Sequence, residues 1–191
     1  MRDVEAAKRA LDRAELATDE IDRSVWLAKA ADHAISRDAV LVGGAAVNLH
    51  TGVYKPTDID LCAHLDEEDR TELDGLGFKH LQGDHFLYTF RDGEKWPVEF
   101  PDSVVDGDVM HLSLDADEVL VVISTESLVL DRLRQATDRT DVTFDEAVRL
   151  CRAVKETADW ALIDDRVNEE DHRVPLLRLN ETYERVLARA G

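Results

Sequence analysis

The stretch Leu41-Val42-Gly43-Gly44, followed after a spacer of thirteen residues by Asp58-Ile59-Asp60-Leu61, decides the fold of this chain. The apolar run over 40–42 ends abruptly at two glycines, which predicts a buried strand that turns into a short helix over 45–50. Glycine lacks a Cβ, so the amides of Gly43 and Gly44 can approach a ligand closely. A helix that begins at such a turn presents unpaired N–H groups and partial positive charge, and both suit a phosphate.

The two aspartates that follow the spacer alternate with apolar residues. A strand is predicted over 59–63. If the extended conformation begins at Asp58, the side chains of Asp58 and Asp60 lie on the same face of the strand. Two neighbouring carboxylates repel one another and are costly to hold ionised without a counterion. A hard divalent cation removes that conflict, because Mg²⁺ binds one or two carboxylates together with substrate phosphates.

The double glycine, the spacer and Asp58-Ile59-Asp60 resemble the active-site signature of the DNA polymerase β-like nucleotidyltransferase superfamily, over roughly residues 39–63. The spacer, with Lys55 and Thr57, is more similar to the minimal and AbiEii-type toxin branches than to the polymerases. The resemblance implies transfer of a nucleoside monophosphate from a nucleoside triphosphate to a hydroxyl acceptor, assisted by Mg²⁺ or Mn²⁺. It leaves open whether the acceptor is a protein, an RNA or a small molecule.

The resemblance also implies a set of site residues. These are Asp58, Asp60 and Glu99 as catalytic and metal-binding residues, and Gly43, Gly44 and Lys55 as nucleotide-binding residues. Glu99 lies between two apolar residues on a later predicted strand, where the superfamily places a third acid that binds metal or accepts the acceptor's proton. Glu94 and Asp102 are weaker candidates in turn-like sequence. Lys55 is predicted either to contact a phosphate or to be a solvated loop lysine.

Two other classes of function stay open. One is a catalytically silent protein with the nucleotidyltransferase fold that binds a nucleotide or a protein partner without turnover. The other is a toxin-like interaction protein of a toxin–antitoxin pair, with an antitoxin-like protein partner. Such a toxin can act with or without enzymatic activity of its own.

The composition is strongly acidic, with a net charge of −19 and 42 Asp and Glu residues against 23 Lys and Arg. The acids are spread along the chain, which is typical of a halophilic surface whose self-repulsion is screened by salt. The alternative is an acidic protein that meets a basic partner. Either way, broad contact with a nucleic-acid backbone is disfavoured, because phosphate neutralisation needs Lys and Arg.

No secretory signal and no long apolar run occurs in the sequence, which predicts a cytoplasmic protein with no membrane association. Two cysteines, Cys62 and Cys151, make neither a disulfide framework nor a zinc site.

The predicted fold is α/β: a small mixed sheet with flanking helices over 1–123, and a helical C-terminal region over 124–191 packed on that core. Amphipathic spacing predicts a long helix over 144–160, a polar break over 164–171 and a last helix over 174–189. The charged runs over 131–134 and 139–141 resemble the helical region of AbiEii-like proteins, and helix-surface ion pairs are their simpler interpretation.

Overall fold

The computed structural model describes residues 2–138 and 140–191, so the predicted feature that includes Arg139 lies partly outside the described residues. The chain divides into two compact units, Met1–Ile123 and Ser124–Gly191. The described residues form a seven-stranded mixed sheet and eight α-helices, which confirms the α/β prediction. None of the described helices is long and apolar enough to cross a membrane.

The first unit contains four helices and all seven strands of the sheet. The helices are α1 (Val4–Leu16), α2 (Glu20–Ala34), α3 (Gly43–Thr51) and α4 (Glu67–Gly75). The strands are β1 (Val40–Val42), β2 (Ile59–Cys62), β3 (Lys79–Gln82), β4 (His85–Thr89), β5 (Lys95–Glu99), β6 (Val109–Ser113) and β7 (Val119–Ile123). Their order in the sheet is β3-β4-β5-β2-β1-β7-β6. The pairs β2–β5 and β1–β7 are parallel, and the other neighbours are antiparallel.

Three helices of this unit begin at an aspartate whose side chain accepts a backbone N–H. Asp3 caps α1 and Asp19 caps α2, each at 2.9 Å. At α4, Asp66 and Asp69 form a reciprocal capping box. These contacts satisfy amides that have no partner within the helix, so the local sequence is enough to define where the helices begin.

One face of the sheet forms the core of the first unit. Leu41, Ile59, Leu61, Val98 and Leu120 are all completely buried. Residues that alternate with them, such as Asp60 and Glu99, are only half-buried. The period-two pattern of the strands therefore separates a fully buried core face from a less buried face that carries the acids.

Strand β6 was not predicted, because its residues carry little of the alternating apolar signal of a buried strand. It lies at one edge of the sheet, pairs only with β7, and four of its five residues are exposed. An edge strand of this kind is defined by its hydrogen bonds to a neighbour, and those are invisible in local sequence.

The second unit is helical, as predicted, but its helix boundaries differ. Its helices are α5 (Thr125–Ala136), α6 (Asp141–Ala153), α7 (Trp160–Arg173) and α8 (Leu179–Ala190), with a 3-10 turn at Pro175–Leu177. The prediction of one helix over 144–160 is wrong, since α6 ends at Ala153 and the Asp159 carboxylate accepts the Leu162 amide at 3.1 Å to start α7.

The predicted polar break over 164–171 is also wrong, because these residues lie inside α7. Ile163, Val167 and Glu170 share the buried face of α7, at helical spacing. The Glu170 carboxylate accepts two hydrogen bonds from Arg134 of α5, at 2.7 and 2.6 Å. A charge pair between two helices thus takes the place of an apolar contact, which periodicity alone does not reveal.

Candidate functional site

Strand β1 runs into helix α3 without an intervening loop, and Gly43 is the first residue of that helix. The helix therefore begins two residues earlier than predicted. Gly43 has φ +65°, and a Cβ built there would lie 1.8 Å from Asp60 Oδ2. Both the backbone angle and the close approach exclude a side chain. The Asp60 carboxylate consequently lies against the turn at the N-terminus of α3, where the helix dipole favours a negative charge.

Gly44 is needed for a different contact. It is buried, and a Cβ at this position would lie 2.7 Å from Cε1 of the Tyr54 ring. Gly43 thus leaves room for the Asp60 carboxylate of β2, and Gly44 leaves room for the Tyr54 ring of the spacer. Tyr54 was not recognised as part of this turn, because nothing in the sequence indicates that the spacer folds back onto it.

A row of residues crosses the sheet at the same level and faces one side. Asp60 of β2 is the register partner of Val42 in β1 and of Glu99 in β5, and Glu99 is in turn the partner of His85 in β4. Side chains of register partners lie on the same face with Cβ atoms about 5 Å apart. The structure therefore brings Asp60 and Glu99 side by side, although they are distant in sequence.

His85 is the member of this row that sequence reasoning missed. Its Nδ1 lies 3.2 Å from Glu99 Oε1, and both side chains are partly exposed. Such a contact orients the Glu99 carboxylate. Alternation in β4 puts His85 on the face opposite the buried Phe86, but only the pairing of β4 with β5 tells which acid it meets.

Asp58 lies outside β2, in the bend that precedes Ile59, and is half-buried. The alternation rule therefore applies to Asp60 but does not determine the direction of the Asp58 side chain. Within residues 2–138 and 140–191, no group of three or more His, Cys, Asp or Glu side chains is arranged to hold a metal ion. The pair formed by Asp60 and Glu99 is the part of the predicted triad that the sheet brings together.

Lys55 contacts Glu20 at the start of α2, and its side chain is largely exposed. The hydrogen bond to Glu20 raises the pKa of the Lys55 ammonium. Both residues line an open cleft of about 920 Å³ between the start of α2 and the spacer after α3. Gly43, Asp60 and Glu99 do not line this cleft, whereas Tyr54, whose ring lies against Gly44, does. The contact that the structure shows for Lys55 is the one with Glu20.

The two weaker acidic candidates have partners of their own. Glu94 forms an ion pair with Arg23 of α2. Asp102 follows β5, and its carboxylate accepts the Ser103 amide at 2.6 Å. Neither is a register partner of Asp60, so Glu99 is the acid that the sheet aligns with it.

A search of solved structures supports the fold. A crystal structure described as an antigenic nucleotidyltransferase-like protein from Paracoccidioides brasiliensis superposes with a TM-score of 0.53 and 12% sequence identity, and the alignment covers 91% of this chain and 93% of that one. No protein-family model matches the chain, and no curated protein sequence matches it. This chain is therefore similar in fold to a nucleotidyltransferase-like protein.

Proposed function

We propose that this protein transfers a nucleoside monophosphate from a nucleoside triphosphate to a hydroxyl group of an acceptor. The observation that carries the proposal is the alignment of Asp60 with Glu99, next to the glycine turn at the N-terminus of α3. Two adjacent carboxylates and a cluster of helix amides are complementary to a metal-bound triphosphate.

The donor set suits Mg²⁺ or Mn²⁺ that arrives with the substrate. Carboxylate oxygens are hard ligands, and Mg²⁺ is usually held by one or two carboxylates plus phosphates and water. The absence of a third aligned acid among the described residues is compatible with such a site, because the triphosphate supplies the remaining oxygens. Asp60 and Asp58 would hold the ion, and the ion would neutralise charge on the phosphates.

The reaction is an in-line displacement at the α-phosphorus. The acceptor oxygen forms a bond to this phosphorus while the bond to the bridging oxygen of pyrophosphate breaks, and that oxygen takes the electron pair. Glu99 accepts the proton of the acceptor hydroxyl, and His85 keeps its carboxylate oriented. The amides of Gly43 and Gly44, at the N-terminus of α3, would hold a phosphate beside the Asp60 carboxylate.

The test combines binding with transfer. Thermal unfolding is followed in molar KCl with Mg²⁺ and each nucleoside triphosphate, and transfer is followed with a triphosphate labelled at the α-phosphorus. Asp60→Asn keeps the shape of the side chain and should abolish both the stabilisation and any transfer. Asp74→Asn, at an exposed position in α4, is the matched control and should change neither.

Each outcome discriminates between the candidate functions. Stabilisation that survives Asp60→Asn contradicts the proposed site. Stabilisation without labelled product, across protein, RNA and small-molecule acceptors, favours the catalytically silent alternative. The toxin–antitoxin relation stays a prediction, and growth arrest on expression that a neighbouring gene product relieves would support it.

A further inference from the structure

The helical unit 124–191 contains an open cavity of about 340 Å³ whose lining includes none of the carboxylates of the sheet. It is lined by the end of α5, the first turn of α6 and one side of α8. Three arginines contribute to its wall: Arg178, Arg185 and Arg189. We call this cavity the arginine cavity.

The charge of the arginine cavity is opposite to that of the chain. Acidic residues outnumber basic ones by 42 to 23 in the whole sequence. In the cavity, three arginines face two carboxylates, those of Asp141 and Glu181. The lining therefore has a small positive excess, and a guanidinium-rich lining favours an anion as ligand.

An aromatic ring holds two of the arginines in place. The guanidinium carbons of Arg185 and Arg189 lie 5.0 and 6.0 Å from the centroid of the Phe144 ring. A guanidinium stacked on a ring keeps its N–H edge available for two parallel hydrogen bonds to an oxyanion. Arg189 also lies 3.4 Å from Asp145, whereas Arg185 has no carboxylate partner within residues 2–138 and 140–191.

The backbone conformation of Arg178 is a second indication that the arginine cavity binds an anion. It is the one described non-glycine residue with a positive φ, at 54°. This backbone conformation is unfavourable for a side chain with a Cβ, so glycine or asparagine would be more stable there. An arginine is present instead, at the start of α8, and its guanidinium pairs with Glu181. Both partners of that pair are exposed, so an anion can replace the carboxylate at little cost.

We propose that the arginine cavity binds the phosphate group of a small phosphorylated ligand, with Arg185 as the main contact and Arg178 as the second. The volume is at the lower end of the range for small-molecule pockets, which suits pyrophosphate or a mononucleotide. The net charge of −19 disfavours a long polyanion such as RNA. This inference is independent of the transfer reaction, since it uses none of the residues of the sheet.

The test is calorimetric titration of the full-length chain at constant ionic strength, in EDTA so that no metal-dependent site contributes. The titrants are inorganic phosphate, pyrophosphate and a nucleoside monophosphate, and the tightest of them identifies the source of the phosphate. Arg185→Ala should raise the Kd at least tenfold, as expected for loss of a charged hydrogen bond. Arg178→Gly should also raise the Kd while leaving thermal stability equal or higher, because it relieves the backbone angle.

Two variants keep the test specific. Arg149→Ala removes one positive charge from an exposed position of the same helix as Phe144 and should change the Kd less than twofold. Asp60→Asn should leave phosphate binding intact, so failure of the transfer proposal and failure of this one are distinguishable. Equal weakening by Arg185→Ala and Arg149→Ala, or no binding of any titrant, would overturn the inference.

Discussion

Replacement of Gly43 by alanine probes the contact on which the candidate site depends. The new Cβ would lie 1.8 Å from Asp60 Oδ2, 2.7 Å from Asp60 Cγ and 2.9 Å from Asp60 Cβ. Rotation of the carboxyl group removes the first two overlaps. The third involves an atom attached directly to the backbone of β2, so the turn or the strand has to move.

The expected cost has two parts. Alanine at φ +65° costs about 1–2 kcal/mol relative to glycine. Displacement of a packed turn costs about 1–3 kcal/mol more. Gly43→Ala should therefore lower the free energy of unfolding by about 2–5 kcal/mol. In an Asp60→Gly background the steric part disappears, and Gly43→Ala should cost only about 1–2 kcal/mol.

Urea unfolding of the four chains of this double-mutant cycle measures the coupling between the two positions. The chain has three tryptophans, Trp26, Trp96 and Trp160. A Trp160→Phe background confines the fluorescence to the first unit, where both substitutions lie. Coupling below about 0.5 kcal/mol would refute the claim that Asp60 and Gly43 are in contact, because independent sites are additive to that degree.

Three further predictions concern stability. Burial and, second, a hydrogen bond to a glutamate of α1 raise the pKa of the Tyr88 phenol from 10.0 to about 12. The stability that the protonated phenol provides is therefore intact below pH 10 and is lost as the pH rises to 12. The difference in absorbance at 295 nm between wild type and Tyr88→Phe measures this ionisation. Lys29→Met removes the buried ammonium 2.7 Å from the Asp32 carboxylate, while Glu118 keeps its contact with His33, and should cost about 3 kcal/mol in urea unfolding. Lys8→Met, at an exposed pair, should cost under about 0.5 kcal/mol. If the net charge of −19 reflects a halophilic surface, the melting temperature should rise from low to molar KCl.

Each of these has a contrary outcome. A tyrosinate step centred near pH 10 in the difference spectrum would mean that the Tyr88 phenol is solvated. Equal losses of unfolding free energy for Lys29→Met and Lys8→Met would mean that burial of Lys29 does not make its ion pair more important for stability. A melting temperature that is flat or falls with salt would favour the basic-partner explanation of the acidic surface.

Features that depend on neighbouring residues were predictable from the sequence. The short strand before Gly43, the helix that follows it and the strand that contains Asp60 all follow from periodicity and glycine. These signals are local, because a capping side chain or an alternating pattern acts within a few residues. The errors arose where a signal was weak or was given too little weight: β6 is nearly all exposed, and the cap at Asp159 interrupts an otherwise amphipathic run.

By itself, the sequence determined the α/β class, the strand-to-helix turn at the double glycine and the candidacy of Asp58, Asp60 and Glu99. Only the tertiary structure decided which of them meet. The register of β2 with β5 aligns Asp60 with Glu99, and the pairing of β4 with β5 adds His85. Asp58 lies in the bend before β2, so strand register does not place it. Register depends on which strands become neighbours and on how their apolar faces align across the whole core. That information is spread over residues far apart in the chain.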